Sequence, residues 1–375
     1  MPADGSWPVR SIKERPEEKA MEEIIIVINP GSTSTKMALF RAKEKSAETN
    51  VTHSSEQLAA FDNVADQFEL RMKNIDEWLA SQNIDQKKVV AVAGRGAPLR
   101  PLEGGAYWIN EKMLDDLQHM KYSNHASNLG AIIADHLGRR YKVPAVIVDP
   151  VTVDNFSDLA RVSGIPEIER KCRSHALNIK EICRRQAAKI DRSLEQCNFV
   201  AVHMGGGISV AAVEKGKIVD VNDALLGMGP YSPDRAGALP IGALVKLAFS
   251  GKYTEKELID KLSRKAGLLA YIGQSDLREV EKMIDSGDKK AELYFRAMAY
   301  QIAKEIGACT VVLKGKLDAI ILTGGMANSK RLVDILKEYI SFLGEVIVVP
   351  GEFEMEALAA GALRVIEKKE VPKDY

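Results

Sequence analysis

The stretch Ile24-Ile25-Ile26-Val27-Ile28-Asn29-Pro30-Gly31-Ser32-Thr33-Ser34-Thr35-Lys36-Met37-Ala38-Leu39-Phe40 decides the fold. An unbroken apolar run predicts a buried strand. Asn29-Pro30-Gly31 ends it, and a second apolar run begins straight after Lys36. A link this short between two strands predicts a hairpin. Gly31 lets the backbone approach a ligand closely, Ser32, Thr33, Ser34 and Thr35 bring hydroxyls, and the turn leaves N–H groups free. Phosphate chains are bound by such surfaces. The stretch is not a Walker A loop: a second glycine before Lys36 is missing, and no helical pattern follows. Taken alone, an ordinary Ser/Thr-rich turn has the same composition.

The pattern recurs. Phe199-Val200-Ala201-Val202-His203 runs into Met204-Gly205-Gly206-Gly207-Ile208-Ser209, and then into two more apolar runs separated by Lys215-Gly216. Three successive glycines between strands are entropically costly unless a backbone must approach something. A third case, Ala319-Ile320-Ile321-Leu322-Thr323-Gly324-Gly325, is a buried strand ending in a Gly-Gly turn. Two hairpin phosphate loops and a late Gly-Gly turn outline a duplicated nucleotide clamp.

Elsewhere, Phe61, Val64, Phe68, Met72, Ile75 and Leu79 recur at helical spacing. Residues 89–93 form a buried strand followed by a Gly94-Arg95-Gly96 turn, and residues 125–137 read as a helix. Residues 145–148 are a strand stopped by Asp149-Pro150. Phe295, Met298, Ala299, Ile302, Ile306 and Cys309 trace a long helix; residues 344–350 and 355–365 give a late strand and a short helix. Strands alternating with helices indicate an α/β fold with a mixed sheet.

The chain has 375 residues, of which 46% are hydrophobic, enough for two domains with full cores. Lys+Arg and Asp+Glu both number 52, so no basic excess points to nucleic acid. No apolar run approaches the ~18 residues of a membrane span. Cys172, Cys183, Cys197 and Cys309 show no CxxC or CxxH spacing, which argues against zinc and disulfide frameworks and suits a reducing cytoplasm. Residues 1–20 are polar, hold three prolines and read as a disordered extension, which makes Met21 a candidate start.

The hairpin stretch, His125-Ala126-Ser127-Asn128-Leu129-Gly130, Val148-Asp149-Pro150, His203-Met204-Gly205-Gly206-Gly207, Pro233-Asp234-Arg235-Ala236-Gly237 and Leu322-Thr323-Gly324-Gly325 together carry a resemblance. From about Ile24 onward the chain resembles the acetate and butyrate kinase family of the actin-like ATPase superfamily, and is most similar to its butyrate kinase branch. The resemblance implies a duplicated actin-like (ribonuclease H-like) α/β fold of two domains with ATP in the interdomain cleft. The expected domains are residues 21–149 with about 355–375, and residues 150–354.

The reaction implied is reversible in-line phosphoryl transfer from ATP to butanoate, giving butanoyl phosphate and ADP with Mg2+. Asn29, Ser32, Thr33, Ser34, Lys36, His203, Gly205, Gly206, Gly207, Gly324 and Gly325 are then expected at the nucleotide. Arg95 and His125 are expected at the acid, and Arg95, Asp149, His175 and Arg235 at the transferring group. Asp149 and Glu354 are expected to serve the metal, with Glu352 and Glu356 as rivals to Glu354.

Without the family, Arg95 and Arg235 read as solvated loop charges, the histidines as satisfied structural residues, and Asp149 as a strand-ending turn. Acetate kinases typically carry Asn where this chain has Gly206, which favours the butyrate branch. The alternatives are a kinase for acetate, propionate or a branched acid, an actin-like sugar kinase, and a non-enzymatic ATP switch. The expected partners are the small acid, its acyl phosphate and further copies of the chain in a homodimer or larger homo-oligomer, with no nucleic acid and no membrane.

Overall fold

The computed structural model describes residues 22–375, so the expected extension and the candidate start at Met21 lie outside the described residues. The chain divides into two units: one runs through Val153 and resumes at Phe353–Tyr375, and the other is Asp154–Glu352. The sequence places the end of the second domain at residue 354. The division falls slightly earlier and puts Glu354 in the first unit, because this residue opens the helix Glu354–Ile366 that packs on the first sheet.

In the first unit, β1 (Ile24–Pro30), β2 (Ser34–Arg41) and β3 (Glu44–Thr52) form an antiparallel meander. They are followed by β4 (Val89–Arg95), the short β5 (Ala106–Trp108) and β6 (Ala145–Val148). The sheet order is β3-β2-β1-β4-β6-β5, with β1, β4 and β6 parallel. Strand β1 is apolar from Ile24 to Ile28 because both its faces are covered there. Ile24, Ile26 and Ile28 share a core with Met72, Ile75 and Leu79 of the helix Phe68–Ser81 and with Leu129, Ile133 and Leu137 of the helix Asn128–Tyr141. The Glu354–Ile366 helix also lies on the sheet; a Cβ at Gly361 would sit 2.4 Å from Val148.

Two helices start later than their periodicity suggests. Asn63 is extended (φ −119°, ψ 146°), so helix cannot run through from Phe61; a 3-10 turn, Val64–Gln67, precedes Phe68. His125 and Ala126 lie in a turn closed by the Asn128 N–H on the His125 carbonyl (2.8 Å), and the helix begins at Asn128.

The second unit repeats the plan. Strands β7 (Asn198–Met204), β8 (Ile208–Glu214) and β9 (Lys217–Val221) form the meander. Strands β10 (Ala319–Gly324) and β11 (Val346–Pro350) continue in parallel, giving the order β11-β10-β7-β8-β9. This matches the first sheet apart from the added edge strand β5, so the fold is a duplicated α/β one. The helix Lys289–Val312 buries Phe295, Met298, Ala299, Ile302, Ile306 and Cys309 against β7, β8 and β10 residues. All four cysteines are free and buried. Among the described residues no helix is long and apolar enough to cross a membrane.

The backbone approach that sets the end of β4 is testable. A Cβ at Gly130 would sit 2.3 Å from the Arg95 carbonyl oxygen and 3.0 Å from its nitrogen. Alanine in a helix gains about 1 kcal/mol over glycine, but overpacking against backbone costs about 1–3 kcal/mol. Gly130→Ala is therefore expected to lower Tm, while Gly206→Ala, with nothing within 4 Å of its Cβ, leaves Tm unchanged. A Gly130→Ala protein as stable as wild type in thermal denaturation refutes the close packing.

Candidate active site

In the first unit the turn between β1 and β2 is closed by the Gly31 N–H on the Ser34 carbonyl (2.7 Å), leaving Ser32 and Thr33 exposed. Beneath it lies Arg71, fully buried on the Phe68–Ser81 helix. Its Nη1 donates to the carbonyls of Gly31 (3.0 Å) and Ser34 (3.0 Å) and to Thr35 Oγ1 (2.9 Å). Thr35 Oγ1 also lies 2.8 Å from Nε2 of buried His53. Because Arg71 donates to this hydroxyl, the hydroxyl proton is free to be donated to a neutral His53 ring.

On β1 and β2, Asn29 lies directly opposite Lys36, so both side chains leave the same face. Asn29 Nδ2 donates to Glu354 Oε2 (2.9 Å), and Arg95 Nη1 pairs with the same oxygen (2.5 Å). Arg95 is the final residue of β4 rather than part of the turn after it. The parallel pairing of β1 with β4 extends to Ile28 and Gly94, which brings Asn29 and Arg95 side by side.

Asp149 follows β6 in a left-handed conformation (φ +39°) and is 1% exposed. Its Oδ1 accepts from the Gly105 N–H (2.7 Å), which fixes the carboxylate. His125 Nδ1 accepts from the Ser127 N–H (3.2 Å) and lies 2.8 Å from Ser127 Oγ. The ring is reachable by solvent, yet surrounding protein and then the Arg95 charge hold its pKa below the ordinary histidine value. Of the rival glutamates, Glu356 pairs with Lys45 (3.1 Å).

The second unit builds its own cluster. His175 and His203 stack with ring centroids 4.0 Å apart and planes 12° from parallel. Asn178 Nδ2 donates to His203 Nδ1 (2.9 Å), which places the proton of a neutral His203 on Nε2, 3.7 Å from Glu352 Oε1. His175 Nδ1 lies 2.9 Å from Ser209 Oγ. The glycine loop is closed by the Gly205 N–H on the Gly207 carbonyl (3.0 Å), and Ser232 Oγ donates to the Gly206 carbonyl (2.5 Å).

A Cβ at Gly207 would sit 3.1 Å from the Ala224 carbonyl oxygen and 2.4 Å from Arg235 Nη1, the tip of a flexible side chain. That nitrogen donates to the Ala224 carbonyl (2.5 Å). Arg235 Nε and Asp234 Oδ1 are buried without hydrogen-bond partners, 3.8 Å apart. Gly324 has φ +89°, and a Cβ would overlap the Met204 carbonyl at 2.3 Å; Gly325 opens a 3-10 turn, Gly325–Asn328.

Residues 167–356, just over half the chain, match the family model described as Acetokinase family. The protein belongs to the Acetokinase family. It is accordingly a kinase whose acceptor is a carboxylate. The matched stretch contains His175, the residue 205–207 loop, Arg235, Gly324, Gly325 and Glu354.

Acetokinase architecture extends over both units. A propionate kinase from Francisella tularensis subsp. tularensis SCHU S4 is similar in structure, with 18% identity, TM-score 0.73, and 90% of this chain and 98% of that chain covered. The Porphyromonas gingivalis acetate kinase gives 19% identity and TM-score 0.74, covering 92% of this chain and 100% of that one. Acetate kinase from Entamoeba histolytica gives 18% and 0.71, covering 90% and 98%. At these identities the likeness establishes the actin-like α/β fold.

Arg71, His53, Asn178, Ser209 and Ser232 belong to this acetokinase's clusters but escape a sequence reading. Arg71 carries the clearest signal. It occupies a position on the buried stripe of Phe68, Met72, Ile75 and Leu79, where a charge is out of place.

His53 makes the first cluster sensitive to acid. Burial, and then the Arg71 charge, lower its pKa from the usual 6.5. The unfolded chain therefore takes up this proton at a higher pH than the folded one. Stability from neutral His53 is complete above about pH 6.5 and is lost as pH falls through the folded pKa. We expect Tm to fall between neutral and mildly acidic pH, and His53→Gln, which keeps an acceptor for Thr35, to flatten that fall. Identical Tm-versus-pH slopes for wild type and His53→Gln exclude this role.

Proposed function

We propose that this acetokinase is a butyrate kinase, converting butanoate and ATP to butanoyl phosphate and ADP reversibly by in-line transfer. The observation carrying the choice of acid is Gly206. With no side chain there, and nothing within 4 Å of a Cβ position, the glycine loop offers phosphate only its backbone. In this respect the loop departs from the Asn-bearing acetate pattern.

The acceptor carboxylate is ionised at neutral pH, its ordinary pKa being about 4, so no general base is needed to create the nucleophile. The protein's work is positioning and charge neutralisation. In the first unit the loop of residues 32–34 presents hydroxyls and N–H groups to phosphate, with Asn29 and Lys36 beside it, while the expected Thr35 hydroxyl is buried against Arg71 and His53 instead. Arg95, held at the end of β4 by Glu354, is the guanidinium for the acid's carboxylate, and His125 stands near its charge. In the second unit the loop of residues 205–207 presents phosphate-binding backbone under Arg235, with the stacked His175 and His203 beside it. Gly325, with nothing within 4 Å of its Cβ position, leaves room for the nucleoside, and Gly324 makes the turn that places it.

Asp149 and Glu354 are oxygen donors of the kind magnesium takes in small number alongside substrate phosphates. The Gly105 contact orients Asp149 for that task, and Glu354 is held by Asn29 and Arg95. Magnesium there would neutralise phosphate charge.

A hydroxylamine trap with ATP, Mg2+ and a ladder of acids tests the acceptor. Acyl hydroxamate is expected with the highest kcat/KM for butyrate or isobutyrate, and a lower value for acetate. A preference for acetate removes the butyrate assignment and leaves the carboxylate kinase standing.

Magnesium titrations test the carboxylates. Asp149→Asn and Glu354→Gln are each expected to raise the magnesium needed for half-maximal rate and to lower kcat. Their combined loss should be less than additive, since both act through one ion. Glu356→Gln, which loses only the Lys45 pair, should be mild. A mild Glu354→Gln beside an inactive Glu356→Gln moves the metal role by two residues; an unchanged magnesium requirement in Asp149→Asn ends the assignment.

A further inference from the structure

Arg71 is fully buried, and its donors are spent on neutral acceptors. Besides the Gly31 and Ser34 carbonyls and Thr35 Oγ1, it reaches Gln67 Oε1 through Nε (3.2 Å) and Nη2 (2.9 Å), and Nη2 lies 3.5 Å from the Ser32 carbonyl. Among the described residues no carboxylate pairs with it, and burial alone brings its pKa down to about 10. It is therefore still a cation at neutral pH. A buried cation without a counter-ion is costly, and a neutral donor such as glutamine would brace a loop without that cost.

Peptide geometry shows which way the loop faces. In a planar trans peptide the N–H points opposite the preceding carbonyl. With the Gly31 and Ser32 carbonyls turned toward Arg71, the N–H groups of Ser32 and Thr33 turn away from it. Neither meets a protein acceptor among the described residues, and both residues are exposed. The outer face of the loop therefore presents N–H groups and hydroxyls, with a positive charge directly behind them. After burial, the same charge helps hold the His53 pKa below its usual value.

We propose that Arg71 is the positioning residue of the phosphate loop: it draws the loop carbonyls inward, and the phosphate bound on the outer face is its counter-ion. This rests on the kinase reading above and adds a residue that touches no substrate. The charge acts through the loop and strengthens phosphate binding by the outward N–H groups.

The test uses the full chain with Arg71→Met and Arg71→Lys. Arg71→Met is expected to raise KM for ATP by about tenfold or more, equivalent to about 1.4 kcal/mol, and to leave KM for butyrate nearly unchanged. It should also lose most of the rise in Tm that inorganic pyrophosphate gives the wild type. Arg71→Lys, which keeps the charge and loses the fork, should recover part of both.

An Arg71→Met protein with lowered Tm but unaltered KM for ATP and an unaltered pyrophosphate shift overturns the proposal and leaves Arg71 a structural brace. Equal rises in both KM values overturn it as well. If Arg71→Met does not fold, Arg71→Lys decides: a folded Lys variant without any pyrophosphate shift refutes the counter-ion role, and a retained shift supports it. A wild-type chain that makes no acyl hydroxamate from any acid refutes the kinase reading instead. The pyrophosphate comparison still judges Arg71 in that case.

Discussion

The register of β1 is the constraint on which the first unit depends. One edge of this strand pairs antiparallel with β2, which forces the turn at Gly31-Ser32-Thr33. The other edge pairs parallel with β4, which carries Arg95 to a place beside Asn29. Glu354, arriving on a helix from far along the chain, bonds to both. A slip of one residue in either pairing would turn the side chains to the opposite face and separate all three. The isoleucines of β1 oppose such a slip, because Ile24, Ile26 and Ile28 are buried in one core.

The second unit uses the same strand order but fills its loop differently. Where the first turn offers hydroxyls over a buried arginine, the second offers bare glycine under a partly exposed one. The Arg235 tip lies against Gly207, and the Met204 backbone leaves no room for a side chain at Gly324. The duplicated sheet thus carries two loops of different construction, one with a buried arginine donating to its carbonyls and one with a partly exposed arginine against its glycine.

Much of this was legible in the sequence, because strands and glycine turns leave local signals. The β1 run, the triple glycine and the Leu322-Thr323-Gly324-Gly325 ending each stand within a few residues of one another. Helix starts were less legible: the extended backbone at Asn63 and the turn at His125 depend on hydrogen bonds that apolar periodicity does not record. The bond of Asn29 to Glu354 spans 325 positions and has no local trace. Arg71 left a trace, a charge on an apolar stripe, but its meaning appeared only when the helix was laid beneath the turn. The His175–His203 stack is likewise a product of packing, since two histidines 28 apart give no hint of parallel rings.

The return of the chain to its first unit bears on synthesis. Asp154–Glu352 is continuous and emerges whole, so it can fold as one piece. The first unit cannot be completed in the same order. Its sheet lacks the Glu354–Ile366 helix, the Lys373 backbone bonds to Ala106 and Trp108, and the Tyr375 hydroxyl on Asp116 until Phe353–Tyr375 has been made. Arg95 likewise waits for Glu354. All six strands of the first sheet are made before Asp154, but the helix and segment that cover them follow Glu352, so the first unit is closed only after the second has been made.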